Sequence, residues 1–240
     1  MIGVLGGMGP AATLDFMAKL IRLCPAARDQ DHLPLVVVSD PRVPDRVAPI
    51  LHGRGESPLP AMIVGLRALE RAGAEVVAIP CHTAHHWYEG LAAATGLPIL
   101  HIAEAALAEL ERLQVPAGPL GLLATAATLK AQLYQPRLAA AGYEAIEPSA
   151  EVMAGWVLPA IALVKRNRAG EAAAPLGRAL EHLAARGARR ALLACTELPL
   201  AAAAAAPPPP GCIDATEALA RSCIAWHHTR SSVSKPPAIV

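Results

Sequence analysis

Short apolar runs alternate along the chain with longer segments in which apolar residues recur at helical spacing. The runs cover residues 2–5, 35–39, 76–79, 99–102, 120–124 and 191–194. The longer segments, rich in Ala and Leu, cover residues 11–23, 59–72, 83–94, 103–113, 128–141, 152–166 and 172–186. Apolar runs bounded by Gly or Pro and separated by amphipathic helices are typical of parallel sheets with helical crossovers. The pattern predicts an α/β fold.

The two halves of the chain repeat one order of glycine, strand and cysteine. Gly3 precedes Cys81 by 78 residues, and Gly121 precedes Cys195 by 74 residues. A third match follows the cysteines after 20 and 19 residues, as H-I-A-E-A in the first half and D-A-T-E-A in the second. A repeat of this length indicates duplicated domains. We therefore expect two parallel-sheet domains with a cysteine at the equivalent point of each.

The boundary between these domains is predicted near residues 113–119, where Pro116 and Gly118 interrupt the helical pattern. We expect an N-terminal domain over residues 1–114, completed by about 213–226, and a C-terminal domain over residues 115–212. Residues 227–240 lack periodicity and are expected to form a loose tail.

Composition narrows the class of protein. A hydrophobic content of 54% predicts a large buried core, and a net charge of +1 with 3% aromatic residues gives no footprint for nucleic-acid binding. The five cysteines are scattered and contain no CxxC pair, which favours reduced thiols over a disulfide framework. The sequence offers neither a signal peptide nor an apolar stretch of about twenty residues for a membrane span. We expect a cytoplasmic protein.

Cys81 and Cys195 each follow a predicted strand and precede a predicted helix. Ligands of open parallel sheets bind outside the carboxyl ends of the strands. A helix N-terminus beside a thiol favours the thiolate and is expected to lower its pKa. Thr83 and Thr196 suit helix capping or carboxylate binding. The competing interpretation is that both cysteines are ordinary core residues, since free Cys is among the most buried residue types.

Two thiols on opposite walls of a cleft suit one kind of chemistry. Inverting an α-carbon requires removal of a proton from one face and delivery of a proton to the other. A single base tends to return the proton to the face it came from. A thiolate and a thiol on opposite walls, which exchange roles with the handedness of the substrate, solve that problem.

The glycine-rich segment GMGPAA at residues 7–12 fits the G-x-G-x-x-A dinucleotide fingerprint between a strand and a helix. Two features disfavour nucleotide binding: Gly6 and Gly7 are adjacent, and Asp40 lies farther along the chain than the usual acidic partner. The alternative is a tight turn that brings backbone close to a small anion, with Pro10 in the first turn of the helix.

Three histidines and two isolated cations remain as candidates. His82, His85 and His86 share a helical face, but no second cluster has conventional zinc spacing, so we expect no metal. Arg46 follows the second predicted strand and Lys165 ends a long helix. Each alone is most simply a solvated surface charge.

Six segments resemble the aspartate/glutamate racemase family, in order and up to about residue 225. They are MIGVLGGMGPAAT at 1–13, VPDRVAPIL at 43–51, IPCHTAH at 79–85, LLATAATLKAQLY at 122–134, IALVKR at 161–166 and ACTELPL at 194–200. The resemblance implies two pseudo-symmetric flavodoxin-like domains, each a parallel sheet flanked by helices, with the active site in the cleft between them. It also implies that no pyridoxal phosphate or other cofactor is used, and that the protein is a homodimer.

The resemblance also implies roles for individual residues. Cys81 and Cys195 occupy the positions of the two acid/base residues, and Arg46 and Lys165 those of the residues that bind substrate carboxylate. The remaining substrate-binding positions are Met8 with the adjoining Gly9 backbone, His82, Thr83, Thr128 and Thr196.

This chain departs from the family pattern at two positions. His82 stands where the family usually has Asn, and Ala127 stands where it has Gly before the threonine of the second domain. The asparagine position contacts substrate in the family, so the departure leaves the side-chain preference open while the proton chemistry is unaffected.

The leading hypothesis is a cofactor-independent racemase of a small amino acid, aspartate or glutamate, with two-base proton transfer between the cysteines. Nearby alternatives are a broad-specificity amino-acid racemase, a hydantoin racemase, a decarboxylase or a maleate isomerase on the same scaffold. A non-catalytic domain that binds a nucleotide or small ligand is the alternative from another class, and it would survive the loss of either thiol.

Overall fold

Eight parallel strands form two four-stranded sheets in the computed structural model, which describes residues 1–233, with side chains through residue 230. The first sheet consists of β1 (Ile2–Gly6), β2 (Leu35–Ser39), β3 (Val76–Ala78) and β4 (Ile99–Leu100), in the order β2-β1-β3-β4. The second consists of β5 (Gly118–Ala124), β6 (Tyr143–Ile146), β7 (Ala191–Ala194) and β8 (Cys212–Asp214), in the order β6-β5-β7-β8. The identical strand order confirms the predicted α/β fold with two similar sheets.

Helices connect the strands. In the first half they are α1 (Pro10–Leu23), α2 (Val47–His52), α3 (Leu59–Arg71), α4 (Tyr88–Ala92) and α5 (Ile102–Arg112), with 3₁₀ turns at Asp29–Asp31 and Thr83–Trp87. In the second half they are α6 (Ala126–Lys130), α7 (Gln135–Ala140), α8 (Ala150–Val152), α9 (Leu158–Lys165), α10 (Ala169–Ala185), α11 (Leu198–Ala203) and α12 (Ala215–Val233), with a π-helical turn at Met153–Val157. No helix within residues 1–233 combines the length and the hydropathy that a membrane span requires.

Alternate strand residues face opposite sides of each sheet, as the two-residue period of a strand requires. Val4 and Leu122 belong to one continuous core that lies against both sheets. Their neighbours Leu5 and Leu123 belong to two separate outer cores, one for each half. Both sheets are therefore covered on both faces, which explains why their central strands are continuous apolar runs.

Gly3 and Gly121 show that the two halves repeat at the level of single residues. Gly3 pairs with Val77 and Gly121 with Ala191, each four positions before its half's cysteine. A Cβ would lie 2.8 Å from Cβ of Ala74 at the first position, and 2.9 Å from Cδ1 of Leu183 at the second. In both halves the strand passes too close to its neighbours for a side chain.

The sequence pattern did not predict β6 or β8. Both lie at the edges of the second sheet, where β6 reads Tyr-Glu-Ala-Ile and β8 has only three residues. Two predicted helices are also interrupted. Residues 83–94 form a 3₁₀ turn followed by α4, and residues 128–141 form the end of α6 and then α7, separated near Gln132, whose φ is 50°.

The chain crosses between the halves twice, first at residues 113–117 and again after β8. β8 pairs with β7 of the second sheet, and α12 then lies against α1 and α5 through the ion pairs Arg22–Glu217 (2.7 Å) and Arg221–Glu109 (3.6 Å). The domain limits proposed at residues 114 and 212 stay predictions. The helix α12 continues to Val233, so residues 227–233 of the predicted loose tail are helical, and residues 234–240 lie outside the described residues.

Candidate active site

The carboxyl ends of both sheets meet at one small cavity of about 30 Å³, which is room for very few water molecules. Its lining comes from both halves of the chain. The lining residues are Met8, Asp45, Arg46, Val47, Cys81, His82, Thr83, Thr125, Lys165, Cys195, Thr196 and Glu197. All the candidate site residues except Thr128 therefore lie around one space.

Cys81 is buried in the short connection between β3 and the 3₁₀ turn at Thr83–Trp87. Burial raises the pKa of its thiol above the usual value, and the nearby charge of Arg46 and the backbone N–H of Ala84 lower it by less. The expectation that the helix N-terminus gives a lowered pKa is therefore wrong for this closed site. The backbone N–H of the turn does lower the pKa of the thiol, but the removal of the thiolate from water raises that pKa by more.

Cys195 is buried at the equivalent point after β7, and its Sγ donates to Oε2 of Glu197 at 3.1 Å. The pKa of this thiol lies well above the usual value because of burial first, then the negative charge of Glu197 and the hydrogen bond to it. The hydroxyl of Thr196 donates to the same carboxylate oxygen at 3.3 Å. Glu197 therefore accepts from two cavity-lining side chains.

His82 lines the cavity beside Cys81 and is 2% exposed. Its Nδ1 lies 2.7 Å from Oη of Tyr134, which belongs to the break between α6 and α7 and is completely buried. Its Nε2 is buried and has no hydrogen-bond partner among the described residues. Burial, and to a lesser degree the proximity of His85, lowers the pKa of His82 well below its usual value, so the imidazole is neutral.

Three threonines join the two halves behind the cavity. Oγ1 of Thr83 lies 3.1 Å from Oγ1 of Thr125 and 3.0 Å from Oγ1 of Thr128. Thr125 caps α6 by accepting from the backbone N–H of Thr128 at 3.1 Å. Thr128 is buried behind the other two, so the structure places Thr83 and Thr125 at the cavity surface.

Arg46 and Lys165 lie where the cavity meets a second, outer cavity of about 350 Å³. Arg46 donates from Nη1 to the carbonyls of Val43 and Pro44, at 3.2 and 3.1 Å, which holds it against its own loop. Lys165 is the last residue of α9. The two cations come from different halves and flank one opening.

The segment that carries Arg46 also contacts the second half of the chain. It continues into α2, where the carbonyl of Leu51 accepts from Nζ of Lys130 in α6 at 2.7 Å. This contact ties the Arg46 segment to the helix that follows Thr125.

The glycine turn brings the backbone of residues 7–9 to the same site. Gly7 has a φ of 87°, its N–H donates to Oγ1 of Thr13 at 2.8 Å, and a Cβ on it would lie 2.4 Å from the backbone of Asp40. Met8 lines the inner cavity and Gly9 lies beside Glu197. The turn thus has a steric reason for glycine that does not involve a nucleotide.

His85 takes part in backbone contacts through both ring nitrogens. Its Nδ1 donates to the carbonyl of Cys81 at 2.9 Å, and its Nε2 accepts from the N–H of Ile102 at 3.2 Å. Burial is the main cause that lowers its pKa to about 3. His85 therefore anchors the turn that carries Cys81 to the start of α5.

Sequence reasoning missed four polar side chains of the site. Glu197 lies two residues after Cys195, and this adjacency was the available signal. Thr125 directly follows β5 and Asp45 precedes Arg46, so both had positional signals as well. Tyr134 carried none, because it contacts His82 across 52 positions of sequence.

Comparisons with known proteins agree with this architecture. A sequence model of the family described as Asp/Glu/Hydantoin racemase matches residues 5–223. The chain is 35% identical over 150 residues to the broad-specificity amino-acid racemase RacX of Bacillus subtilis, an alignment that covers 61% of this chain and 63% of that protein. The chain thus spans less than two thirds of the length of this curated relative.

Solved structures show the same fold. An aspartate racemase of Picrophilus torridus superposes with a TM-score of 0.82 at 29% identity, covering 95% of this chain and 94% of that one. An aspartate racemase homologue from Pyrococcus horikoshii superposes with a TM-score of 0.71 at 23% identity, covering 95% and 98%. The second likeness concerns the fold alone.

Proposed function

Because this chain belongs to the Asp/Glu/Hydantoin racemase family, we propose that it is a cofactor-independent amino-acid racemase that moves the substrate α-proton between Cys81 and Cys195. The observation that carries the proposal is that both thiols line one cavity, each from a different sheet. Inversion needs an acid/base group on each face of the α-carbon. Thiols that come from opposite walls meet this requirement.

Glu197 provides a route to the thiolate on the second wall. Because Sγ of Cys195 already donates to Oε2 of Glu197, the carboxylate can accept the thiol proton and leave a thiolate. That thiolate removes the α-proton from one face of the substrate, and Sγ–H of Cys81 gives its proton to the other face. After inversion Cys195 is a thiol, Glu197 holds the proton it accepted, and Cys81 is a thiolate that the positive charge of Arg46 stabilises. When the product leaves, Glu197 releases that proton to solvent and Cys81 takes one up, which restores the starting state.

Arg46 and Lys165 supply the positive charge for substrate binding. A guanidinium presents a rigid fork to a planar carboxylate, whereas an ammonium is a mobile point charge. With one on each side of the opening, they suit a substrate with two carboxylates. We propose aspartate or glutamate as the substrate. Broad specificity is the second candidate, favoured by the 35% identity to the Bacillus subtilis relative.

The direct test is exchange of the substrate α-proton into heavy water, followed by NMR for both enantiomers of all amino acids without added cofactor. We expect exchange with inversion, fastest for an acidic amino acid. If no amino acid exchanges its α-proton, the racemase proposal is wrong. If several neutral amino acids exchange as fast as the acidic ones, the broad-specificity candidate replaces the acidic preference.

The source of substrate preference is tested by Arg46→Ala and Lys165→Ala. Each removes a charged hydrogen bond, worth roughly 1.5–3 kcal/mol, so kcat/KM for acidic substrates should fall about tenfold to a hundredfold. Arg54→Ala and Arg166→Ala remove exposed cations near each position and serve as matched controls. Equal losses in the controls and the test variants would contradict direct contact with the substrate.

A further inference from the structure

His82 and Tyr134 form a buried pair, and His82 lines the cavity that both thiols also line. Nδ1 of His82 lies 2.7 Å from the phenolic oxygen, and Nε2 has no partner among the described residues. Both side chains are at least 98% buried. Because Nδ1 contacts Tyr134 and His82 lines the cavity, we infer that Nε2 is the polar atom left to meet a bound substrate.

The number of donors and acceptors in this pair decides which ring nitrogen of His82 carries the hydrogen. A neutral imidazole has one N–H and one bare nitrogen. If Nδ1–H donated to Tyr134, the phenolic O–H would remain as a completely buried donor, and its described contact leads only back to His82. If Tyr134 donates to Nδ1, the remaining hydrogen sits on Nε2, at the cavity, where a bound molecule can accept it. Only the second arrangement satisfies the buried hydroxyl.

We propose that Tyr134 is a positioning residue that fixes His82 as the Nε2–H tautomer, so that His82 offers the substrate a neutral hydrogen-bond donor and selects an oxygen acceptor. This inference rests on the proposed racemase function. Its substrate class is an amino acid that places a carboxylate or carboxamide oxygen at Nε2. An asparagine amide can rotate to present either its donor or its acceptor, but this imidazole can only donate.

The proposal gives the two cations and His82 different roles in substrate recognition. Arg46 and Lys165 distinguish substrates by charge, whereas a neutral N–H distinguishes an acceptor from a donor. A side-chain ammonium offered to Nε2–H finds no acceptor, so basic amino acids are disfavoured by hydrogen bonding as well as by the cations.

The tautomer can be measured without any substrate. Long-range proton–nitrogen correlation spectra of protein with ¹⁵N-labelled histidine separate Nε2–H from Nδ1–H rings, and the His82→Asn spectrum identifies the His82 signals among those of nine histidines. We expect a pure Nε2–H pattern in the wild type and a mixture of tautomers in Tyr134→Phe. An Nδ1–H pattern in the wild type would overturn the proposal, even if the phenylalanine variant failed to fold.

A double-mutant cycle tests the link to recognition. Tyr134→Phe should lower kcat/KM for the best substrate about threefold to tenfold, the usual worth of one hydrogen bond, mainly through KM. In a His82→Asn background the same change should have less than about a twofold effect, because the amide does not depend on Tyr134. Equal losses in both backgrounds would show that Tyr134 acts through packing alone.

The identity of the accepting oxygen follows from comparing substrates in the same variants. If the loss in Tyr134→Phe is confined to amino acids with a side-chain oxygen, Nε2–H binds the side chain. If alanine exchange falls equally, it binds the α-carboxylate. Should no amino acid be turned over, the proposed function fails while the tautomer measurement still decides the state of His82.

Discussion

The two cysteines occupy the same place in two copies of one topology, yet their surroundings carry opposite charge. Cys81 follows β3 and lies near the cation Arg46, whereas Cys195 follows β7 and donates to the carboxylate of Glu197. The difference comes from Arg46, which the loop after β2 brings to Cys81, and from Glu197, which lies two residues after Cys195. The strand fixes the position of each thiol, and the charged side chains near it influence the pKa of the thiol.

This asymmetry matters because burial raises the pKa of both thiols in the closed site. Neither thiol is ionised by burial alone. On one wall a cation favours the thiolate directly, and on the other a carboxylate is positioned to accept the proton. The proposed two-base mechanism requires both ionised states, and the two halves offer different means of reaching them.

The largest expected effect on racemisation comes from replacing one of the two cavity cysteines at a time. Cys81→Ala and Cys195→Ala should each lower racemisation by at least about a hundredfold, the usual size of acid/base catalysis. Each variant should still exchange the α-proton of the one enantiomer that faces the remaining thiol, and the two variants should prefer opposite enantiomers. Cys212→Ala, which removes a half-exposed thiol outside the cavity, is the control. Near-normal racemisation by either cavity variant would refute the two-base mechanism.

A smaller effect, on the alkylation rates of the two cysteines, tests the difference in charge around them. Glu197→Gln removes the charge that raises the pKa of Cys195, so that pKa should fall and iodoacetamide should alkylate Cys195 faster at pH 8. Arg46→Ala removes a charge that lowers the pKa of Cys81, so alkylation of Cys81 should slow. We expect changes of about threefold to tenfold, since one pKa unit is tenfold in thiolate population.

Mass spectrometry of the digested protein gives both rates in one experiment. Cys212, whose pKa burial raises to about 11, provides an internal reference that neither substitution should affect. Slower alkylation of Cys195 in Glu197→Gln, or faster alkylation of Cys81 in Arg46→Ala, would indicate altered access to the cavity rather than a changed electrostatic environment.

The glycine turn is a feature of the first half that the second half lacks, since β5 runs into α6 through Thr125. Gly7→Ala should lower the free energy of unfolding by about 1–3 kcal/mol for the left-handed φ, and further because the Cβ meets the backbone of Asp40. Gly73→Ala is the matched control, because Gly73 has a φ of 86° but nothing within 4 Å of its Cβ position. Equal losses in urea unfolding would show that the contact with Asp40 is unimportant.

The smallest effect concerns the contact that joins α2 to α6. Lys130→Ala removes the hydrogen bond to the carbonyl of Leu51 and should change the free energy of unfolding by less than about 1.5 kcal/mol. Because α2 directly follows Arg46, which lines the cavity, we expect the substrate KM to change more than the melting temperature. A large loss of stability would mean that the contact holds the two halves together instead of positioning the Arg46 segment.

The sequence predicted the parts of the molecule that depend on local pattern. The apolar runs located β2 and β7 to the residue, and the repeat placed Cys81 and Cys195 at equivalent strand ends. The edge strands β6 and β8 were not predicted, because short, partly polar strands lack an apolar run. The net pKa direction of the thiols was wrong because it depends on how tightly the cavity closes. The contact between His82 and Tyr134 depends on how the halves dock, which no local spacing encodes.

The two chain crossings, at residues 113–117 and just after β8, also have a mechanical meaning. A body attached by one flexible link can turn in any direction, whereas two links restrict it to rotation about the line that joins them. The second crossing is further pinned, because Nζ of Lys19 in α1 lies 2.7 Å from Oδ2 of Asp214. The small cavity that both thiols line lies between the two linked halves. Any parting of its walls is therefore expected to be a rotation about one axis, which would return both thiols along the path by which they separated.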